Sequence, residues 1–278
     1  MTQLGIDTRV KLNNGVEMPI FGFGTFRINA GFATRDAVKN AISIGYRNID
    51  CAAAYGNEKD VGDAIKQSGV PREELFITTK VWNSDQGYDK TLKAFEISRE
   101  KLGVEKIDLY LIHWPVKGLR LETWKALEKL YEVGKCRAIG VSNYIIKHLE
   151  ELLGESSIVP AVNQVEFSPY TYDKKLLDYC REYNIELEAY SPLTKSFKLK
   201  DPKLIQIANR YQKSPAQILL RWGLQKNVIV ISKSKNRERI KENADIFDFE
   251  ISEEDMKLLD SFDENLRTGW DPYSEDWA

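Results

Sequence analysis

Histidine and cysteine are scarce in this chain, with two of the first and three of the second in 278 residues. The cysteines, Cys51, Cys136 and Cys180, are odd in number and form no Cys-x-x-Cys pair, which excludes a disulfide framework and a zinc finger as the organising element. His113 and His148 stand far apart, so no metal site is expected. This cysteine usage suits a reducing compartment, and a cytoplasmic location is expected. Long hydrophobic runs are missing too. Those present, such as Val228 to Ile231, are strand-sized, far short of the roughly 20 residues of a membrane helix. Met1 to Leu12 lacks the basic-then-apolar pattern of a secretory signal, and none is expected. The chain also lacks an excess of either charge. A formal net charge of -2 gives no electrostatic basis for binding nucleic acid or a membrane surface. Low-complexity, linker-like and solenoid-period segments are absent, so one domain over residues 1–278 is expected. No heptad or long edge strand signals self-association, and a monomer is expected.

What remains is a soluble globular composition, 42% hydrophobic and 29% charged, patterned as alternating strands and helices. Val10 to Leu12 and Val16 to Met18 flank Asn13-Asn14-Gly15, a hairpin signal, and such a hairpin would plug the lower mouth of a barrel. Strands are then expected over 20–23, 46–50, 75–80, 107–113, 137–141, 161–166, 186–190 and 228–231. Helices are expected over 34–43, capped by Thr34, then 57–66, 89–102, around Leu121 to Tyr131, 145–153, 174–183, around Leu204 to Tyr211, from Ser214-Pro215, 237–244 and 252–262. A polar tail carries Trp270, Tyr273 and Trp277. About eight strands, each followed by a helix, is the pattern of an α/β protein of the (β/α)8 TIM-barrel type, here with an N-terminal β-hairpin and extra C-terminal helices. Gly22-Phe23-Gly24 begins like a dinucleotide fingerprint, but Arg27 stands at the third glycine position and no helix opens there, which disfavours a doubly wound sheet.

In such a barrel chemistry gathers at the C-terminal strand ends. Those ends read Asp50, Lys80, His113, Ser142-Asn143, Gln164 and Glu166, Tyr190-Ser191, and Lys233-Ser234. Asp50 opens the stretch Ile49 to Glu58, with Tyr55 just past a small-residue turn. Hydride addition to a carbonyl leaves an alkoxide that needs a proton. A phenol can give one, but its ordinary pKa is about 10, and a neighbouring ammonium lowers it. Lys80 can serve Tyr55 in this way, Asp50 can hold Lys80 charged, and His113 can orient the carbonyl oxygen. The bland alternatives are a structural Asp50–Lys80 ion pair at the barrel mouth and a satisfied core histidine at 113. Lys233, Lys235, Arg237 and Arg239 crowd a helix start whose N–H groups favour an anion. With a serine beside them they suit a phosphate monoester, hence NADPH over NADH; the alternative is a solvated basic face.

The motifs Gly22 to Phe26, Asp50 to Glu58, Lys80-Val81-Trp82, Leu109 to Pro115, Gly140 to Asn143, Asn163-Gln164, Tyr190 to Leu193 and Ile231 to Asn243 occur in an order that resembles the aldo-keto reductase family, from about Val10 through Phe262. The resemblance implies a catalytic four of Asp50, Tyr55, Lys80 and His113, with Tyr55 as general acid. It implies NADPH laid across the barrel mouth, near Gly24 and Thr25. Ser142, Asn143 and Gln164 would hold the carboxamide, Tyr190 would stack on the ring, and Ser191 and Leu193 would hold the pyrophosphate. Lys233, Ser234 and Arg239 would take the 2'-phosphate, with Glu242 and Asn243 at the adenine.

Three departures from the family pattern stand out. Ser232 replaces a usual proline and is expected to loosen its loop. Phe26 replaces a frequent tryptophan. The segment Thr194 to Lys200 is short for a cofactor clasp, so fast cofactor release is expected. Phe26, Trp82, Trp114 and Trp270 are candidates for an aromatic substrate wall, suited to small-molecule aldehydes and activated ketones; in the alternative the tryptophans are rim packing and a tail anchor. Two rival functions use the same residues: a non-catalytic NADPH-binding regulatory barrel, and a Schiff-base lyase with Lys80 as nucleophile, which needs a neutral lysine.

Overall fold

The computed structural model describes residues 4–274, and Trp277 of the tail lies outside them. The chain opens with an antiparallel hairpin, β1 (Arg9–Lys11) and β2 (Glu17–Pro19), turned by Gly15 at φ 87°. Leu12 and Met18 at its base are buried against Phe76, Leu109, Leu111, Ala138 and Val162. The expected plug is therefore present, and its apolar contacts keep water out of the lower half of the barrel.

The alternation then runs β3 (Phe21–Gly24), α1 (Phe32–Ile44), β4 (Asn48–Asp50), α2 (Glu58–Gln67), β5 (Phe76–Val81), α3 (Tyr88–Leu102), β6 (Ile107–Ile112), α4 (Arg120–Glu132), β7 (Cys136–Ser142), α5 (Ile146–Glu155), β8 (Val162–Glu166), α6 (Lys174–Glu182) and β9 (Glu186–Tyr190). Two helices, α7 (Pro202–Arg210) and α8 (Pro215–Gln225), precede β10 (Ile229–Ser232), and α9 (Arg237–Ala244) and α10 (Glu253–Asp260) follow it. The strands β3 to β10 pair in parallel, and β10 closes the barrel by pairing with both β3 and β9. Among the described residues no helix is long and apolar enough to cross a membrane.

Two local expectations fail for identifiable reasons. Thr34 does not cap α1. Gly31 is the cap residue, at φ 90°, and the Thr34 hydroxyl instead donates to Asn29 O at 2.8 Å. The strand expected from Tyr46 starts only at Asn48, because Tyr46 N is already committed to Ala41 O at the end of α1. The Tyr46 hydroxyl bonds Ile240 O at 3.1 Å and lies 3.2 Å from Ser232 Oγ. Ser232 thus sits in the β10 ladder, and the Tyr46 hydroxyl links its side chain to α9.

Period-two alternation sorts the strand residues. Phe21, Ile49, Ile77, Tyr110, Ile139, Val165, Leu187 and Val230 point outward into the core shared with the helices. The alternate residues point inward: an apolar floor around Phe76, Leu109 and Val162, and above it Asn48, Asp50, Lys80, Gln164 and Glu188, all buried. Burying so many polar groups costs stability unless each is paired, and pairing forces close packing. A Cβ on Gly22 would lie 2.8 Å from Asn48 Nδ2, and one on Gly140 would lie 2.5 Å from Val162 O. Gly140→Ala is therefore expected to lower stability by about 1–3 kcal/mol through overpacking. Thermal unfolding with a Tm several degrees below wild type is the expected readout, and an unchanged Tm would refute the close approach.

Candidate active site

Lys80 Nζ is wholly buried, 2.5 Å from Asp50 Oδ2 and 3.0 Å from Cys51 O. Asp50 accepts three further hydrogen bonds from two residues. Thr25 donates to its carbonyl from both N and Oγ1 at 3.0 Å, and Gln164 Nε2 donates to Oδ2 at 2.9 Å. Burial alone would push the Lys80 ammonium down, but attraction to Asp50 and Tyr55 holds it above the ordinary lysine range.

A short 3-10 turn, Ala53–Tyr55, lifts the phenol over this pair and ends at Gly56, whose φ of 68° lets the chain turn into α2. Asn57 Nδ2 fastens the turn to the loop after β3, bonding Thr25 O at 3.1 Å and Ile28 O at 3.2 Å. The Lys80 ammonium lies 5.3 Å from the Tyr55 ring centroid. Desolvation pushes the Tyr55 phenol up to about 12, while the Lys80 charge and hydrogen bond pull it down. The sign of the lysine's effect is thus as expected, but burial outweighs it and the phenol stays protonated at neutral pH. That is the form a proton donor needs.

The His113 ring stands edge-on to Tyr55 at 5.7 Å and to Trp82 at 5.0 Å. Burial, and then the charge of Lys80, hold the imidazole well below its ordinary range, so it is neutral. Its Nδ1 is buried without a hydrogen-bond partner. Phe26, 5.0 Å from Tyr55, and Trp270, 6.0 Å from Trp82 and 5.4 Å from Trp114, complete an aromatic enclosure around the phenol and imidazole. Glu166 holds the tail in place by accepting from Thr268 N at 2.9 Å and Gly269 N at 3.3 Å. The four expected wall residues therefore converge.

The residues expected along the cofactor path also gather at this mouth. Ser142 Oγ donates to Gln164 O at 2.8 Å. Asn143, at φ 63°, donates to His113 O at 2.9 Å and accepts from the Tyr190 hydroxyl at 2.8 Å. After β9 the backbone turns left-handed at Ser191, Thr194, Lys195 and Ser196, curling the chain around Leu193. Lys233 and Ser234 lead into α9, whose cap Asn236 accepts from Arg239 N at 3.1 Å. Arg239 and Glu242 are exposed on that helix and Asn243 is buried. Gly24 packs so closely that a Cβ there would lie 2.8 Å from Ile231.

Sequence reasoning overlooked three charged residues here. Arg27, at φ 59°, and Lys195 join the cationic rim. Partial desolvation, then Lys235 and Arg27, lower the Lys233 ammonium, and desolvation and Arg27 lower Lys195. Positive charges gathered this closely make a rim of favourable potential for an anion. These two residues stand apart from any motif, and only folding assembles them with Lys233. The third, Glu188, was legible in principle as a charged residue on the inward register of a barrel strand.

The family model described as "Aldo/keto reductase family" matches residues 21–264. The glyoxal reductase of Bacillus subtilis (strain 168) is 56% identical over 263 residues, covering 95% of each chain. Among solved structures, an aldo-keto reductase enzyme from a Medee basin deep-sea metagenome library, MGS-M4, superimposes with a TM-score of 0.93 at 48% identity, covering 96% of this chain and 100% of that one. A Bombyx mori aldo-keto reductase solved in complex with NADP gives a TM-score of 0.88 at 38% identity, covering 94% of each chain.

Removing one partner of a buried ion pair leaves the other charge stranded, at about 3–5 kcal/mol. Lys80→Met is expected to lose that much in denaturant unfolding, and Lys80→Met with Asp50→Asn to regain part of it. Equal stability of the single and double variants would show that the pair is not energetically coupled.

Proposed function

The chain belongs to the aldo/keto reductase family, and from that premise we propose that it catalyses NADPH-dependent reduction of small aldehydes and activated ketones, with Tyr55 as the proton donor. The supporting observation is the stack of Asp50, Lys80 and Tyr55: a fully buried ammonium 2.5 Å from a carboxylate and 5.3 Å from the phenol ring. NADPH, when bound, supplies the hydride.

The residues present fit this cofactor. The rim formed by Arg27, Lys195, Lys233 and Lys235, in which desolvation and neighbouring positive charge lower Lys233 and Lys195, offers net positive charge to phosphates. In our assignment Lys233, Ser234 and Arg239 hold the 2'-phosphate, with Glu242 and Asn243 at the adenine. Ser191 and Leu193 lie at the pyrophosphate, Tyr190 supports the ring, and Gly24 and Thr25 border it. Ser142, Asn143 and Gln164 form the polar edge for the carboxamide. Both hydrogens of Gln164 Nε2 are taken by Asp50 and Glu188, so this side chain offers only its oxygen, as an acceptor for an amide N–H.

His113, neutral in its dry setting, donates from Nε2 to the carbonyl oxygen and orients it. Tyr55 gives that oxygen its proton as the alkoxide forms, and Lys80 stabilises the resulting phenolate. Asp50 keeps Lys80 charged and aimed. Phe26, Trp82, Trp114 and Trp270 exclude water and accept small apolar or dicarbonyl substrates. The Bacillus subtilis relative is named for glyoxal, which makes that dicarbonyl the first substrate to test. A Schiff-base lyase is disfavoured by the same ion pair, since Lys80 is held charged.

Tyr55→Phe is expected to lower kcat for glyoxal reduction by ~10²–10⁴-fold while changing the Kd for NADPH little. Steady-state turnover and cofactor fluorescence titration measure the two. Unchanged turnover would defeat the role given to Tyr55, and tight cofactor binding with no turnover of any carbonyl by the wild type would favour a regulatory barrel. Lys233→Met is expected to raise KM for NADPH roughly tenfold or more, through loss of a charge-assisted contact, and to leave KM for NADH nearly unchanged. An equal rise for both cofactors would place the 2'-phosphate elsewhere.

A further inference from the structure

A second carboxylate lies inside the barrel, and the hydride-transfer scheme above does not use it. Glu188, on the inward face of β9, is fully buried. Its Oε2 accepts from Gln164 Nε2 at 2.7 Å, and the same nitrogen donates to Asp50 Oδ2 at 2.9 Å. One amide thus joins two carboxylates through its two N–H groups, which fixes which end of Gln164 faces the mouth. On the other side, Glu188 Oε1 lies 3.4 Å from Asn48 Nδ2, at the long limit of a hydrogen bond, and Asn48 Oδ1 is buried with no partner at all.

The charges facing Glu188 do not balance. Asp50 from β4 is negative and Lys80 from β5 is positive, and these two already form a pair. Glu186 and Tyr190 flank it on the inward register of β9. Gln164 on β8 is neutral, and Glu166 on β8 is spent on Thr268 and Gly269. From β10, Ile229 and Ile231 bring no charge, and the Tyr55 phenol lies over Lys80. A second carboxylate in this dry space would be an uncompensated charge, which is costly. A proton removes that cost, provided it finds an acceptor. A half-turn of the Asn48 amide supplies one, by presenting the orphaned Oδ1 to Oε1 in place of Nδ2.

We propose that Glu188 holds a proton in the resting enzyme and is a positioning residue that aims the Gln164 amide and keeps negative charge away from the Tyr55 phenolate. The proposal rests on the role given above to Tyr55. Burial, and then the charge of Asp50, push the Glu188 carboxyl up to about 7, with Gln164 and Lys80 pulling the other way. As pH rises through that value the proton leaves, and a charge appears that opposes the phenolate formed when Tyr55 gives up its own proton. Hydride transfer then slows, by an expected factor of about ten at an intermediate effective dielectric. Stability follows the same proton. A carboxyl whose pKa is raised on folding loses stability as pH climbs from its unfolded value, near 4.5, to about 7, and stays lower beyond.

The test is a single-turnover measurement of NADPH oxidation by glyoxal across this pH range, on wild type, Glu188→Gln and Tyr55→Phe. The expected result is a wild-type rate that falls through an inflection near pH 7, a flat profile for Glu188→Gln, and no appreciable rate for Tyr55→Phe. The Tm advantage of Glu188→Gln over wild type, read without cofactor, should grow across the same window. Glu188→Met, similar in volume and equally untitratable, serves if the glutamine variant does not fold, and it too should lack the inflection. An inflection that persists in either variant, or a Tm difference independent of pH, overturns the proposal while leaving the Tyr55 assignment standing. Full activity in Tyr55→Phe overturns that assignment instead.

Discussion

Everything at the barrel mouth depends on one ion pair with no water around it. An ammonium without solvent at the centre of a protein is untenable alone. Lys80 is stable there because Asp50 lies 2.5 Å away, and Asp50 is in turn held by Thr25 and Gln164. This arrangement dictates neighbouring choices. Gly22 and Gly140 leave room for the buried polar side chains and close backbone, and the hairpin plug seals the floor beneath them. Apolar residues of the same volume would give a barrel at least as stable, so stability alone does not account for the pair.

The electrostatics of the site divide the labour. Tyr55 and His113 both sit where burial favours their neutral forms. A neutral phenol retains its proton, and a neutral imidazole keeps one nitrogen as a donor and avoids placing a second cation beside Lys80. In the function proposed for this site, the lysine acts mainly after the proton has moved, when a phenolate would lie beside a fixed positive charge. Such preorganisation needs no rearrangement at the moment of reaction. The cationic rim holds Arg27 beside both Lys233 and Lys195.

Much of this was legible in the chain. Eight strand signals followed by helices implied the barrel, and the polar residues at their ends implied the mouth, because a strand end has only one place to project. The four residues expected to do the chemistry and the four expected aromatic wall residues do meet. Less legible were features that depend on long-range closure. Tyr46 reads as strand, yet its backbone caps α1 and its hydroxyl reaches Ile240. Thr34 reads as a cap, yet the chain bends at Gly31. Arg27 and Lys195 carry no local signature, and Arg27 comes to neighbour both Lys195 and Lys233 only when β3, β9 and β10 meet at the seam of the barrel. The phenol's net shift was also beyond reach, since the sequence shows the lysine but not the depth of burial that outweighs it.

The central claim is that the Lys80 charge lowers the cost of ionising Tyr55. A fluorinated tyrosine at position 55, more acidic than tyrosine itself, brings that ionisation into a measurable range for fluorine NMR. Titrating it with Lys80 present and again in Lys80→Met is the most direct measurement. The phenol is expected to ionise at distinctly higher pH once the lysine is gone; an unchanged or lower ionisation pH would contradict a role for the Lys80 charge.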